Sequence, residues 1–324
     1  MKLNFSLTLL LILAFGASLL AGRVWLPPAS LLAQHDSLAG LIVQDIRLPR
    51  TVLALVVGAV LGLSGAVLQG FTRNPLAEPA LLGVSSGAAL GAVIAIYFGL
   101  AALSPVTGPL MGMMGALGAC ALTFALGRNG TVALVLAGAA VSSVTAAGIA
   151  LALNFAPSPY AAYEIMTWIM GSLADKSWTQ VWLVLPFAML GGVLLAMTGR
   201  SLDALSLGEA QAQSLGVNPA RLAALVVAGT ALSVGAITSV TGAIGFIGLV
   251  APHLVRPIVG HDPARLLVPS ALVGACLLLA ADIAVRLIPS TTNIKVGVLT
   301  SIIGVPFFLY LIVRERRSLG GGLA

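Results

Sequence analysis

Few side chains in this sequence are of a kind that does chemistry, and their spacing limits what that chemistry could be. The string GLSG at residues 62–65 has the GxSG form of an intramembrane serine protease, with Ser64 as nucleophile and His253 as its base. Such four-residue strings are frequent in glycine-rich membrane helices, and nothing in the sequence brings the two residues together, so a packing serine is the preferred reading. Asp282 and Arg286 stand four apart, which puts carboxylate and guanidinium on one helix face, and they read as a structural ion pair near a membrane interface rather than an ion-coupling site. Arg47 and Arg50 in QDIRLPRT precede an apolar run and offer a docking surface to an acidic partner. His253, between Pro252 and Arg256, suits helix capping or packing. Cys120 and Cys276 lie inside apolar runs with no CxxC, His or carboxylate beside them, and read as buried thiols outside any disulfide or metal site. No GxxxxGK[ST] and no HExxH occurs, which excludes a P-loop ATPase and a zinc-protease helix in this chain. No catalytic residue and no metal-ligand set is expected.

The elements that must carry these residues are membrane helices. Of 324 residues, 59% are hydrophobic and only 8% charged, against roughly 25% charged in soluble domains, and the mean hydropathy is +1.08. Sixteen basic and ten acidic side chains cannot cover the water-facing surface of a core this size, which excludes a water-soluble enzyme. The net charge of +6 is spread as single residues between apolar runs; this is loop charge, and no nucleic-acid partner is expected.

A helix needs about 20 apolar residues to cross ~30 Å of hydrocarbon, so the intervals between charges count spans. Single spans fit between residues 2 and 23, 50 and 73, 176 and 200, and 295 and 314. The interval 78–128 breaks at SPVTGP (104–109) into two, and 128–164 holds one span followed by the loop-like NFAPSPY (154–160). Within 221–256 a full span, the glycine-rich TGAIG (241–245) and a shorter proline-containing span follow one another. Residues 266–281 form one more, with Asp282 and Arg286 at its far end. The expected fold is all-α: a polytopic membrane protein of about ten transmembrane helices, forming a single domain over residues 1–324. The first 22 residues read as an uncleaved span, since no small-x-small cleavage site follows. An even count puts both termini on one side. With the N-terminus inside, ten basic residues, among them Arg314, Arg316 and Arg317, fall in the cytoplasm, while Arg23, Arg47, Arg50, Lys176, Arg286 and Lys295 stay outside.

A weak internal echo accompanies this plan. ALVV at 54–57 recurs at 224–227, and Gly65-Ala66 recurs at Gly235-Ala236, all at an offset of 170. The echo relates the second span to the seventh in the opposite direction, the form of an inverted repeat.

Two polar segments are not simple turns. Residues 201–222, SLDALSLGEAQAQSLGVNPARL, are too polar to span; Leu202, Leu205, Ala210 and Leu215 are spaced for short amphipathic helices, broken at Gly208 and Gly216. Their polar face lacks the Lys and Arg that anionic lipid would favour, so a docked protein partner is preferred to an interfacial helix. NPLAEP at 74–79 breaks the chain with two prolines at the inner end of the second span, where Asn74 and Leu76 could form a constriction.

Taken together, RLPRT, SGAVLQG, NPLAEP, GVSSGAALG (83–91), LVLAGAA (134–140), MTWIMGS (166–172), SLGEAQAQSLG, GAIGFIGLVAPHLVR (242–256), ADIAVR and VGVLTSIIGVPFFLYLI resemble the permeases of type II ABC importers (FecCD-type), which take up iron–siderophores, haem and vitamin B12. The likeness covers essentially the whole chain in order. It implies paired coupling helices at about residues 203–217 that insert into a cytoplasmic ATPase, with Leu207, Gly208, Glu209, Ala210, Gln213, Leu215 and Gly216 in the docking segment. It also implies a cytoplasmic gate at Asn74 and Leu76 with a second segment at Thr131 and Val132. Arg47, Arg50 and Arg286 would receive a periplasmic binding protein, and MTWIMGS, with Met166, Trp168 and Met170, would be a short helix lining the outer mouth. No cofactor is expected in the chain itself; ATP and Mg would be bound by the partner ATPase. The implied assembly, in the membrane lipid of a bacterial inner membrane with both termini cytoplasmic, is two permease copies (a homodimer, in the family's pattern), two cytoplasmic ATPase subunits and a periplasmic substrate-binding protein. Transport would proceed by alternating access between the two copies. The rival reading is an ion-coupled secondary transporter, which normally carries an ionisable residue in mid-membrane; only Asp282 comes near that requirement, and it has Arg286 beside it.

Overall fold

The computed structural model describes residues 2–22, 24–32, 35–128, 130–289 and 294–320. Arg23, counted above among the outer charges, lies outside the described residues, as do the side chains of Arg314, Arg316 and Arg317. Fourteen α-helices occur among the described residues. The first half holds α1 (Lys2–Leu20), α2 (Leu38–Leu41), α3 (Leu48–Thr72), α4 (Val84–Tyr97), α5 (Thr107–Leu126), α6 (Thr131–Asn154) and α7 (Pro159–Ile169). The second holds α8 (Trp178–Ala196), α9 (Gly199–Ser206), α10 (Glu209–Ser214), α11 (Pro219–Thr241), α12 (Ile247–Val259), α13 (Pro263–Leu287) and α14 (Val296–Gly320). Seven helical stretches are long and apolar enough to cross a membrane, and α4, α12 and the apolar part of α14 are shorter apolar helices. These ten stand where the charge intervals put ten spans.

Local chemistry sets the ends of these helices. A π-helical stretch, Ile42–Arg47, leads from α2 into α3, and Pro49 occupies the first turn of α3, where its missing N–H costs nothing. At the other end Arg73 turns left-handed (φ 50°), its N–H donating to the carbonyls of Gln69 and Gly70. Asn218 and Asp262 cap α11 and α13 through their side chains, each followed by a proline.

Helices α4 and α12 have 14 and 13 residues, about 20 Å at 1.5 Å per residue, too short to cross alone. Irregular chain leads into each of them. Such backbone is tolerated at membrane depth only when protein surrounds it, and here Ala77, Pro79 and Leu82 are buried. Two polar contacts hold these segments: Thr123 Oγ1 donates to the Leu82 carbonyl at 3.1 Å, and the Phe246 N–H donates to the Glu78 carboxylate. The irregular stretches that precede α4 and α12 therefore meet.

Burial ranks the spans. The apolar windows of α3 and α11 are each 72% buried, against 11% for α1 and 28% for α5 and α6. Helix α3 packs chiefly on α13 and α12 of the second half, and α11 on α8 of its own half and α5 of the first, so each half of the chain contributes a central helix. The echo at offset 170 joins these two central helices. Contact between α3 and α13 is backbone to backbone: a Cβ on Gly62 would fall on the Ser270 carbonyl, and one on Gly274 would fall on the carbonyl of Gly58. Small residues replace the hydrophobic drive that lipid cannot supply between membrane helices.

Candidate functional site

Polar and chemically competent residues collect at the two ends of the bundle. One end carries α9 and α10. Leu202 and Leu205 of α9 and Ala212 of α10 are buried and anchor the segment. Leu207 and Leu215, 63% and 65% exposed, stand out on either side of α10, with Glu209, Ala210 and Gln213 also exposed. Helix α9 stops at Ser206, and Gly208 (φ 112°) swings the chain before α10 begins, at the break the glycine marks in the sequence. Gly216 (φ 86°) makes a second such turn. Asp203 fastens α9 to α13 by accepting the Ala264 N–H at 2.8 Å. Burial pushes its carboxyl above the ordinary carboxylate range; the Ala264 N–H opposes this, and the neighbouring Asp262 carboxyl adds to it.

Two cavities open at this end. The first, about 620 Å³, is lined by Gln69, Arg73, Leu76, His253, Arg256 and His261 among others. Arg256 donates from Nη2 to Gln69 Oε1 at 2.5 Å, tying α12 to α3 across 187 residues of sequence. The second, about 470 Å³, brings Thr131 and Arg128 to Glu209 and Gln213. The predicted gate residues are thus divided. Leu76 lines the first cavity and Thr131 the second, and Val132 is 74% exposed on α6. Asn74 bonds its own turn, its Oδ1 accepting the Leu76 N–H at 2.9 Å. Gln69, Glu78 and Arg256 were present in the sequence only as motif letters. Gln69 could have been noticed as the one amide in the apolar run 51–72.

The opposite end holds the arginines. Asp282 is fully buried and accepts from two of them: Arg50 Nε at 2.9 Å and Nη2 at 2.7 Å, and Arg286 Nη2 at 2.7 Å. The predicted Asp282–Arg286 pair is present and is part of a triad. Arg286 also donates to the carbonyls of Ser18 (2.8 Å) and Ala21 (3.1 Å). Arg47, only 7% exposed, donates to the carbonyls of Leu19 (3.0 Å), Leu20 (2.7 Å) and Val24 (2.6 Å). The three arginines predicted for docking do converge, and in this structure their guanidinium groups are turned inward onto Asp282 and the end of α1.

Short α7 begins at Ser158, whose side chain accepts the Ala161 N–H. Met166 is exposed on it and Met170 just past its end, while Trp168 packs against Val93, Ile96 and Ile165. Ser64 is fully buried, its hydroxyl donating to the Leu61 carbonyl, which is the packing serine expected. Cys120 and Cys276 are free thiols. Among the described residues no group of His, Cys, Asp or Glu could hold a metal ion.

The FecCD transport family model matches residues 10–314. The chain belongs to the FecCD transport family. It is 39% identical to the vitamin B12 import system permease protein BtuC of Klebsiella pneumoniae over 319 residues, covering 96% of this chain and 93% of BtuC. It is likewise 39% identical to the hemin transport system permease protein HmuU of Yersinia pestis over 337 residues, 99% of this chain and 98% of that one. A solved structure in an inward-facing conformation, assigned to the metal-chelate type of ABC transporter, superposes with a TM-score of 0.88 at 35% identity, covering 97% of this chain and 99% of its own. The chain is therefore a membrane permease of the ABC-importer class, and the ion-coupled reading falls. Buried Asp282, held by two arginines, has the environment of a structural ion pair.

Proposed function

We propose that this permease moves an iron chelate, haem or cobalamin from periplasm to cytoplasm, powered by a separate ATPase that binds ATP and Mg. Two copies of the chain enclose the path, with the short helix α7 at its outer mouth. The observation that carries the reading is the α9–α10 segment: two short helices, anchored by Leu202, Leu205 and Ala212, that present Leu207, Glu209 and Leu215 outward. A surface of exposed leucines on a firmly held element suits a protein partner, and closure of paired ATPases would push on it and rock the two copies. With that end cytoplasmic, the arginine end faces the periplasm, where Arg47, Arg50 and Arg286 receive carboxylates of a substrate-binding protein. Because these arginines are already paired within the chain, the docked protein competes with Asp282 and with the carbonyls of α1. The weakly charged spans give a large ligand a path with few strong contacts, which favours release.

The test is ATP-driven uptake in proteoliposomes holding the permease, its ATPase and its binding protein. Deleting residues 207–216, or replacing Glu209 by Ala, is expected to leave the permease folded and to uncouple ATP hydrolysis from uptake. Full transport after the deletion refutes the assignment.

A further inference from the structure

Glu78 stands two residues beyond Leu76, in the irregular stretch that follows α3. A loop carboxylate of this kind ordinarily faces water. Here it is partly buried and makes no ion pair among the described residues. Its partner is the N–H of Phe246, the residue that caps the N-terminus of α12, where a helix favours negative charge. Phe246 has φ 67°, a left-handed conformation that a bulky residue keeps only when its surroundings hold it. Two contacts bear on it: the Glu78 carboxylate takes its N–H, and its ring lies so close to Gly304 of α14 that a Cβ there would fall on the ring carbons.

The stretch leading to Phe246 is fixed to α7. The Ser172 N–H donates to the Thr241 carbonyl at 2.7 Å, and the Gly297 N–H donates to the Gly171 carbonyl at 3.1 Å. A Cβ on Gly171 would fall on the Ala243 carbonyl. The end of α7, residues 241–243 and the start of α14 therefore meet backbone to backbone, with no flexible side chain between them to absorb a displacement.

We propose that Glu78 is a positioning residue for transport: by holding Phe246 it makes the outer mouth at α7 follow the inner gate at Asn74 and Leu76. The inference rests on the proposed roles of those two regions and adds the side chain that joins them. A displacement of the 74–79 segment pulls on the Phe246 N–H, and the closely packed 241–246 stretch passes it to α7 and α14.

The test is the distance between spin labels on the two permease copies, measured in bilayer discs with the ATPase and binding protein present. One label pair is carried by Arg73→Cys, at an exposed position beside the gate, and the other by Met166→Cys, at an exposed position on α7, each in a Cys120→Ala/Cys276→Ala background. ATP binding should shift both pairs when Glu78 is intact. In Glu78→Ala the Arg73 pair should still shift while the Met166 pair loses most of its response, and uptake should fall about tenfold at unchanged ATP hydrolysis, the scale of one lost charge-assisted hydrogen bond. Glu78→Gln, whose amide oxygen accepts the same N–H, should restore the Met166 response. Gly304→Ala, which displaces the Phe246 ring and leaves Glu78 in place, should reproduce the Glu78→Ala result and keeps the test usable if that variant misfolds. A full Met166 shift in Glu78→Ala and Gly304→Ala, or no restoration by Glu78→Gln, would overturn the inference while the gate still moves. No shift at Arg73 with Glu78 intact would overturn the gate reading and this inference with it.

Discussion

At the arginine end, three guanidinium groups turn inward onto one buried carboxylate and the carbonyls that end α1; at the α9–α10 end, leucines stand exposed, glycines interrupt short helices and two cavities open. Both ends meet water, and both use only a few polar residues. They differ in where those residues find partners. The arginine end satisfies itself, tying α1, α3 and α13 into one block. The other end leaves contacts for something else to make, on an element anchored by buried apolar side chains and one hydrogen bond from Asp203. Electrostatics dominates at one end; packing against the bundle carries most of the other.

The largest effect that can break this contrast is at Asp282. Asp282→Ala leaves Arg50 and Arg286, both largely shielded from solvent, without their carboxylate and should cost about 3–5 kcal/mol, read as a lowered thermal midpoint of the purified permease in detergent. An unchanged midpoint would mean that the arginines are held by the α1 carbonyls alone. Next is Leu202→Ala, at the fully buried anchor of α9, expected to cost about 2–5 kcal/mol and to raise hydrogen exchange in α9 more than in α3. Uniform exchange across both helices would show that the segment is not separately anchored. Leu207→Ser, on the exposed flank, should change stability by no more than about 0.5 kcal/mol while lowering coupled transport several-fold; a stability loss as large as that of Leu202→Ala would erase the distinction between anchor and docking surface.

The smallest effect is a pH response. Because the Asp203 carboxyl sits above its ordinary value of 3.8 in the folded protein, folding binds a proton there. The stabilisation is fully present below 3.8 and is lost as pH rises through the raised value. Hydrogen exchange in α9 should therefore quicken as pH rises from 3.8 through that value, after correction for intrinsic exchange, and Asp203→Asn should remove the trend. A trend that persists in Asp203→Asn places the titration elsewhere.

How much of this was legible follows from the same physics. Charges are expelled from hydrocarbon, so their spacing showed the ten spans, and Gly208 and Asn218-Pro219 marked the break before α10 and the start of α11. Pairings between distant residues left no such trace. Asp282 and Arg286 could be paired because a helix puts i and i+4 together, but Arg50 is 232 residues from Asp282, and nothing local points to it. Arg47 bonds backbone carbonyls, which every residue carries, so no complementary side chain existed to find. The Glu78 contact with Phe246 joins two irregular segments, where no periodic rule applies.

The backbone-to-backbone seam between α3 and α13 also sets a timetable for synthesis. Helix α3 enters the membrane with its glycine face open and with Arg50 still lacking a carboxylate, and both are completed only when α13 leaves the ribosome. At about 5–20 residues per second, the 232 residues that separate Arg50 from Asp282 amount to a wait of roughly 10–45 s. During that interval the most buried face of the molecule must be shielded by the insertion machinery or by provisional neighbours, and the finished core appears only after nearly the whole chain has been made.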